Sequence, residues 1–211
     1  MTAPKDLFGF GCDFVAGAAS PEQIPRNFSV PELAFAGRSN VGKSSLINAV
    51  VKKRNCARVS KSPGCTRQIN FFCLQNRISL ADLPGYGYAS VSREVRKSWD
   101  ELIINYIQKR QNLKRIFLLI DSRRGIMEDD EKFMALLDDL AIVYQIVVTK
   151  IDKTVSPAEL IKSIESKILT HPAAFPTIIS TSSKKNVGIR DLQKEIVSFY
   201  GDVASKIFSK N

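Results

Sequence analysis

Gly37-Arg38-Ser39-Asn40-Val41-Gly42-Lys43-Ser44 decides how this chain is read. The eight residues satisfy G-x-x-x-x-G-K-[ST]. They follow the short apolar run Leu33-Ala34-Phe35-Ala36 and lead into the helix-like Ser45-Leu46-Ile47-Asn48-Ala49-Val50. Strand, glycine loop and helix is the context that makes the pattern a phosphate site rather than a coincidence. The glycines let backbone N–H groups curl around an oxyanion, and the helix start adds unpaired donors with a partial positive charge. Lys43 is then placed to reach the β- and γ-phosphates of a nucleotide, and Ser44 to offer its hydroxyl to Mg²⁺.

Three later segments name the base and the metal. Asp82-Leu83-Pro84-Gly85 follows Ile78-Ser79-Leu80-Ala81, so Asp82 ends a buried strand. A carboxylate there holds a water ligand of Mg²⁺, while the N–H of Gly85 faces the γ-phosphate. Thr149-Lys150-Ile151-Asp152 follows the apolar run 142–148, and Asp152 supplies two acceptor oxygens that suit N1–H and the N2 amine of guanine. Adenine would leave that carboxylate unpaired, which argues against an ATP-dependent enzyme such as a small kinase. Thr181-Ser182-Ser183-Lys184, after Pro176-Thr177-Ile178-Ile179, offers a small-residue turn whose backbone N–H suits the guanine carbonyl. Each tetrapeptide alone is weak. In this order, each at the end of an apolar run, they point to a guanine nucleotide.

Apolar strand-like and amphipathic helix-like segments alternate, as in a mostly parallel sheet covered on both faces. The expected strands are 33–36, 68–74, 77–82, 115–121, 143–149 and 177–181; the expected helices are 43–51, 92–110, 128–140, 157–170 and 188–199. Only Gln75-Asn76 separates the second and third strands, so they form a hairpin and an antiparallel edge pair. Strand alternation splits Phe71 and Phe72 between core and edge. Ser156-Pro157, with Glu159 behind it, reads as a helix N-cap followed by proline at the first helical position. Residues 1–28 read as an extended lead-in packing on a single domain, 29–211.

At this point the chain resembles the translation-factor-related GTPases, and within them the EngB branch (YihA/YsxC), related to Era and EngA. The residues that carry the match are Gly37 to Asn48, Pro63-Gly64-Cys65-Thr66-Arg67, Asp82-Leu83-Pro84-Gly85-Tyr86-Gly87-Tyr88-Ala89, Thr149-Lys150-Ile151-Asp152 and Ser182-Ser183-Lys184-Lys185. Thr149, in place of the commoner Asn of N-K-x-D, also fits this branch. The resemblance implies an α/β P-loop GTPase (Ras-like) fold, with a six-stranded, mostly parallel sheet, one antiparallel edge strand and helices on both faces. It implies a bacterial GTPase that assists large ribosomal subunit assembly and is linked to normal cell division and septation.

The expected nucleotide contacts are Gly37-Arg38-Ser39-Asn40-Val41-Gly42-Lys43-Ser44-Ser45, Gly64-Cys65-Thr66-Arg67-Gln68, Asp82-Leu83-Pro84-Gly85, Thr149-Lys150-Ile151-Asp152 and Thr181-Ser182-Ser183. Lys43, Thr66 and Gly85 carry the catalytic roles. Ser44, Thr66 and, through water, Asp82 hold Mg²⁺. The polar stretch Lys52 to Cys65, ending in Thr66, reads as switch I, with Thr66 as its γ-phosphate sensor, and Pro84 to about Arg93 as switch II. Where Ras-like enzymes carry a water-orienting Gln, this chain has Tyr86, whose phenol cannot reproduce a carboxamide; intrinsic hydrolysis is therefore expected to be slow. In relatives of this branch an Asn at the position of Asn40 helps hold K⁺ beside the phosphates; the alternative is a polar residue merely tolerated in the loop.

Charge supplies a partner. Thirty-one Lys and Arg against twenty-one Asp and Glu give a net +10, which suits a phosphate-rich surface such as the large ribosomal subunit or its rRNA. The basic residues bunch at Lys52-Lys53-Arg54 with Arg58, Lys61 and Arg67, at Lys109-Arg110 with Lys114-Arg115, and at Arg123-Arg124. No apolar run reaches eighteen residues and no signal peptide is visible, so a cytoplasmic monomer that avoids membranes is expected. Cys12, Cys56, Cys65 and Cys73 lack C-x-x-C spacing, with one histidine to join them, and read as reduced thiols rather than a zinc site. That histidine, His171, reads as a helix-end residue.

Overall fold

The structure, a computed structural model, describes residues 7–9, 11–25, 29–53, 56–57, 68–87 and 93–208. In chain order the elements are β1 (Asp13–Ala18), β2 (Glu32–Gly37), α1 (Lys43–Val50), β3 (Ile69–Leu74), β4 (Ile78–Asp82), α2 (Arg93–Lys109), β5 (Leu113–Asp121), α3 (Glu128–Asp139), β6 (Tyr144–Thr149), α4 (Pro157–Ile168), β7 (Ile179–Ser180) and α5 (Ile189–Phe208). The strands form one sheet in the order β1-β3-β4-β2-β5-β6-β7. Strand β3 alone runs against the others, antiparallel to β4 on one side and to β1 on the other. The remaining pairings are parallel.

The α/β expectation therefore holds with one addition. The sheet has seven strands rather than six, and the hairpin β3–β4 is not the edge. Residues 13–18 of the lead-in cover it, with a register shift between Phe14 and Ala16. Such an irregularity twists an outer strand and blunts it as a template for further pairing.

Period-two alternation sorts the strand residues onto two buried faces. Leu33, Phe35, Leu80, Phe117, Leu119 and Val147 meet Leu46, Ile47 and Val50 of α1 and Leu192 and Ile196 of α5. Ala34, Ala36, Ala81, Ile116, Leu118 and Val148 face Tyr106 of α2, Phe133 and Met134 of α3 and Ile164 of α4. Phe71 and Phe72 are both buried, one on each face, rather than divided between core and edge. With β1 outside β3 and helices above and below, β3 has no exposed side left.

The basic bunch 109–115 is partly structural. Glu32, fully buried at the base of the sheet, accepts hydrogen bonds from Arg110 Nε (2.8 Å) and Nη2 (2.9 Å), from the Tyr106 phenol (2.8 Å) and from Ser79 (2.9 Å). Arg115 pairs with Glu195 and lies between the rings of Phe175 (3.8 Å) and Phe199 (4.8 Å). Of the bunch, Lys109 and Lys114 remain exposed. Ser156 occupies the N-cap position of α4 with Pro157 behind it, yet its hydroxyl makes no capping bond. His171 is more than a helix end: its Nδ1 lies 2.5 Å from Asp138, tying the end of α4 to the end of α3. Among the described residues no helix is long and apolar enough to cross a membrane.

Candidate functional site

Parallel strands aim their carboxyl ends the same way, so Gly37, Asp82, Asp121 and Thr149 gather along one edge of the sheet. The chain leaves β2 there with β4 on one flank and β5 on the other. This is a topological switch point, where the loops on either side diverge and leave a crevice. Residues 38–42 fill the turn between β2 and α1. Gly42 opens α1 at φ +105°, a conformation L side chains rarely adopt, which explains glycine at the sixth position of the motif.

Four contacts hold this loop against its neighbours. The Thr149 hydroxyl donates to the carbonyl of Val41 at 2.7 Å. The Lys150 ammonium donates to the carbonyl of Asn40 at 2.6 Å and to Asp121 at 2.8 Å. The N–H of Ser39 donates to the carbonyl of Tyr86 at 2.9 Å, and the Ser39 hydroxyl to that of Gly85 at 3.3 Å. Below the loop, the ammonium of Lys43 pairs with the carboxylate of Asp82, both nearly out of contact with solvent. An isolated buried ammonium is costly, so a lysine at this depth needs either that carboxylate or a bound anion.

Asp121 went unassigned in the sequence, although it ends an apolar strand just as Asp82 does. Burial pushes its carboxyl up, but hydrogen bonds from Arg123 and Lys150 outweigh this and hold it well below the usual carboxylate range. Lys150 is bent into the left-handed region at φ +55°, and its two bonds keep it there.

The base-side residues also come together. Asp152 is exposed just beyond Lys150, and the Ser182 hydroxyl donates to its carboxylate at 2.5 Å, lowering its pKa. The N–H of Ile151 donates to the carbonyl of Thr181 at 3.0 Å, which fixes the two loops side by side. Thr149 and Thr181 are buried with their hydroxyls committed to backbone carbonyls, so they brace the loops and present no free oxygen.

On the other flank, Tyr86 turns away from the loop. Its phenol donates to Asp130 of α3 at 2.7 Å, and its ring stacks on Phe133 with centroids 5.1 Å apart. Arg38 reaches Asp129 at 3.5 Å. Between this flank and the loop lies a cavity of about 200 Å³ whose walls include Arg38, Asn40, Gly87, Asp121 and Arg123.

One expected member stands apart. Gln68 donates to Asn70 at 2.8 Å and lies against Gly17 of β1, on the edge-strand side. Gly64, Cys65, Thr66 and Arg67, like Arg54, Arg58 and Lys61, lie outside the described residues. Ser44 in the first turn of α1 and Asp82 at the end of β4 carry the hard oxygen donors that Mg²⁺ prefers. The ammonium on Asp82 marks that position as one that takes a cation.

A family described as a 50S ribosome-binding GTPase matches residues 32–150. The chain is 46% identical over 196 residues to a probable GTP-binding protein EngB of Gluconobacter oxydans, covering 92% of this chain and 86% of the relative. It is 45% identical over 200 residues to the corresponding protein of Caulobacter vibrioides, covering 93% and 86%. Among solved structures, a probable GTP-binding protein EngB matches with a TM-score of 0.64 at 28% identity, over 81% of this chain and 99% of that one. Era of Aquifex aeolicus bound to GDP and aluminium fluoride matches in fold, with a TM-score of 0.65 at 23% identity, over 81% of this chain and 56% of that one.

Proposed function

This chain belongs to the EngB family of GTP-binding proteins, and from that premise we propose that it is a cytoplasmic switch hydrolysing GTP to GDP and phosphate. Its role would be to assist assembly of the large ribosomal subunit and, with it, normal division and septation. The observation that carries the reading is the span from Asp152 to Asn40. A carboxylate oriented by Ser182 adjoins a lysine whose ammonium rests on the glycine loop, so base recognition and phosphate binding share one rigid bridge.

In this reading the loop N–H groups and Lys43 hold the triphosphate, and Lys43 exchanges the carboxylate of Asp82 for phosphate oxygens. Ser44 and, through water, Asp82 would hold Mg²⁺, which when bound would draw charge off those oxygens. Thr66 would complete the metal site from switch I. The N–H of Gly85 turns to the γ-phosphate once the backbone of residues 85–86 leaves Ser39; that exchange is the switch. Catalysis is positioning plus charge stabilisation. Tyr86 supplies no water-orienting amide, so turnover is slow until K⁺ beside Asn40, or the ribosomal partner, adds what is missing. The exposed Lys52, Lys53, Lys109 and Lys114 belong to the surface offered to rRNA, whose backbone charge makes binding fall steeply with salt.

One observation favours a second reading, a guanine-nucleotide-dependent binding module with negligible hydrolysis: the phenol of Tyr86 is engaged by Asp130. Single-turnover phosphate release separates the two, in K⁺ against Na⁺ and with or without each ribosomal subunit. The GTPase reading expects release that rises with K⁺ and with the large subunit. Equal rates in both salts remove the potassium role, and no release under any condition leaves the binding module. Competition of GTP against ATP tests the base assignment in the same assay.

A further inference from the structure

Away from the nucleotide site, the start of the chain and the segment after α1 meet at two sulfurs. Cys12 leads into β1 and is buried; Cys56 follows α1 and is partly exposed, and both are free thiols. The Cys56 thiol donates to the Cys12 carbonyl at 3.6 Å, which brings its sulfur against Cys12.

Neither position is accidental. Next to Cys56, the N–H of Ala57 donates to the Asn48 side-chain oxygen at 2.7 Å, and the Asn48 amide donates back to the Ala57 carbonyl at 2.8 Å. That clamp fixes the segment on α1. On the other side, Cys12 packs in the core with Leu7 and Phe8 and continues into the paired residue Asp13. The ammonium of Lys53 donates to the same Cys12 carbonyl at 2.9 Å, closing the junction.

We propose that Cys12 and Cys56 are a redox pair that closes to an intramolecular disulfide on exposure to a hydroperoxide and reopens with a thiol reductant. The roles divide by environment. The adjoining Cys56 thiol, and then burial, push the Cys12 thiol far up. Cys12, with Lys53 nearby, brings the Cys56 thiol down, and Cys56 is the more accessible. Cys56 is therefore the attacking thiolate. Its sulfur attacks the terminal oxygen of the peroxide, forming S–O and breaking O–O, and the alkoxide leaves with a proton as the alcohol. The Cys12 sulfur then attacks Cys56, forming S–S and breaking S–O. The leaving hydroxide takes the Cys12 proton as water. The two thiols are oxidised by two electrons and the peroxide is reduced by the same two.

This site goes beyond the nucleotide reading and needs no nucleotide for its detection. A disulfide here would enclose β1, β2, the glycine loop and α1 in one covalent loop and anchor the root of the segment leading to β3. A reversible bond of this kind is compatible with a reducing compartment, where such disulfides are transient.

The test uses the full chain carrying Cys65→Ser and Cys73→Ser, treated with hydrogen peroxide, alkylated and examined by mass spectrometry. The expected result is loss of two hydrogens, a linked peptide pair containing Cys12 and Cys56, and reversal by dithiothreitol. Adding Cys12→Ser should leave a sulfenic acid on Cys56 that dimedone traps, whereas adding Cys56→Ser should leave Cys12 untouched. Because the Cys56 sulfur already lies against the Cys12 backbone, oxidation should keep or raise the melting temperature. Absence of the linked pair, its replacement by intermolecular dimers or by sulfinic acid, or a fall in melting temperature on closure would each overturn the proposal.

Discussion

The phenol of Tyr86 donates a 2.7 Å hydrogen bond to the carboxylate of Asp130, the third residue of α3. The same carboxylate accepts the N–H of Met127 at 2.9 Å, so Asp130 at once caps α3 and holds the segment after β4. The residue after the D-x-x-G glycine is thus a structural contact to α3. Tyr86→Phe should leave a buried carboxylate short of one donor and lower stability by about 1 kcal/mol, or a melting shift of roughly 2–4 °C. The rate of GTP hydrolysis should stay within about twofold. A large fall in turnover, read by single-turnover phosphate release, would mean that the phenol takes part in the chemistry.

Gly85 is held so close to the loop that a side chain there would be crowded. A Cβ there would meet Ser39 Oγ at 3.0 Å and the Ser39 Cα and N at 3.1 Å. Gly85→Ala forces the two backbones apart by a few tenths of an ångström, and overpacking of this kind costs about 1–3 kcal/mol. In the proposed switch that approach is the arrangement the GTP state gives up, so crowding it penalises the state without a γ-phosphate. GDP affinity should fall about tenfold while GTP affinity is less affected, as measured by fluorescent-nucleotide titration. An equal fall for both nucleotides would place the effect on folding of the loop.

How much of this was legible in the chain depended on whether the physics was local. The glycine loop, Asp82 and Asp152 each close an apolar run, and their chemistry reads from neighbours a few residues away. Strand β1 gave no such signal. Asp13-Phe14-Val15-Ala16-Gly17-Ala18 lacks clean alternation because one long edge is open, and it is a strand only because β3 supplies its hydrogen bonds. Arg110 and Arg115 read as a solvated basic bunch because their partners, Glu32 and Glu195, lie 78 and 80 residues away. Tyr86 was marked as unable to act like Gln, but what it does instead needed Asp130, 44 residues on.

Asp121 makes stability depend on acid. Against the cost of burial, hydrogen bonds from Arg123 and Lys150 depress its carboxyl below the unfolded value. A depressed folded pKa gives stability that is fully present above the unfolded value, near 3.9, and is lost as pH falls through the folded one. Asp121→Asn should therefore be less stable than the parent at pH 7. The gap in urea midpoint should narrow steadily below about pH 5. A gap independent of pH would show that the ion pairs contribute nothing.

Asp152 and Ser182 make the sharpest test of ligand identity. The hydroxyl of Ser182 occupies one side of the carboxylate at 2.5 Å and aims the rest outward, where two acceptors suit a donor pair on the purine. Asp152→Asn replaces one acceptor by a donor and opposes the N1–H of guanine. GTP affinity should drop roughly a hundredfold or more, since the site is left with mismatched polar groups. Xanthine nucleotides, which carry a carbonyl where guanine has its amine, should gain in the same measure. Ser182→Ala should weaken GTP less and leave the preference for guanine intact, because it frees the carboxylate without changing its chemistry. Titration of both variants with GTP, XTP and ATP decides the matter. Full GTP affinity in Asp152→Asn would detach base recognition from this carboxylate and with it the bridge from base to phosphate loop.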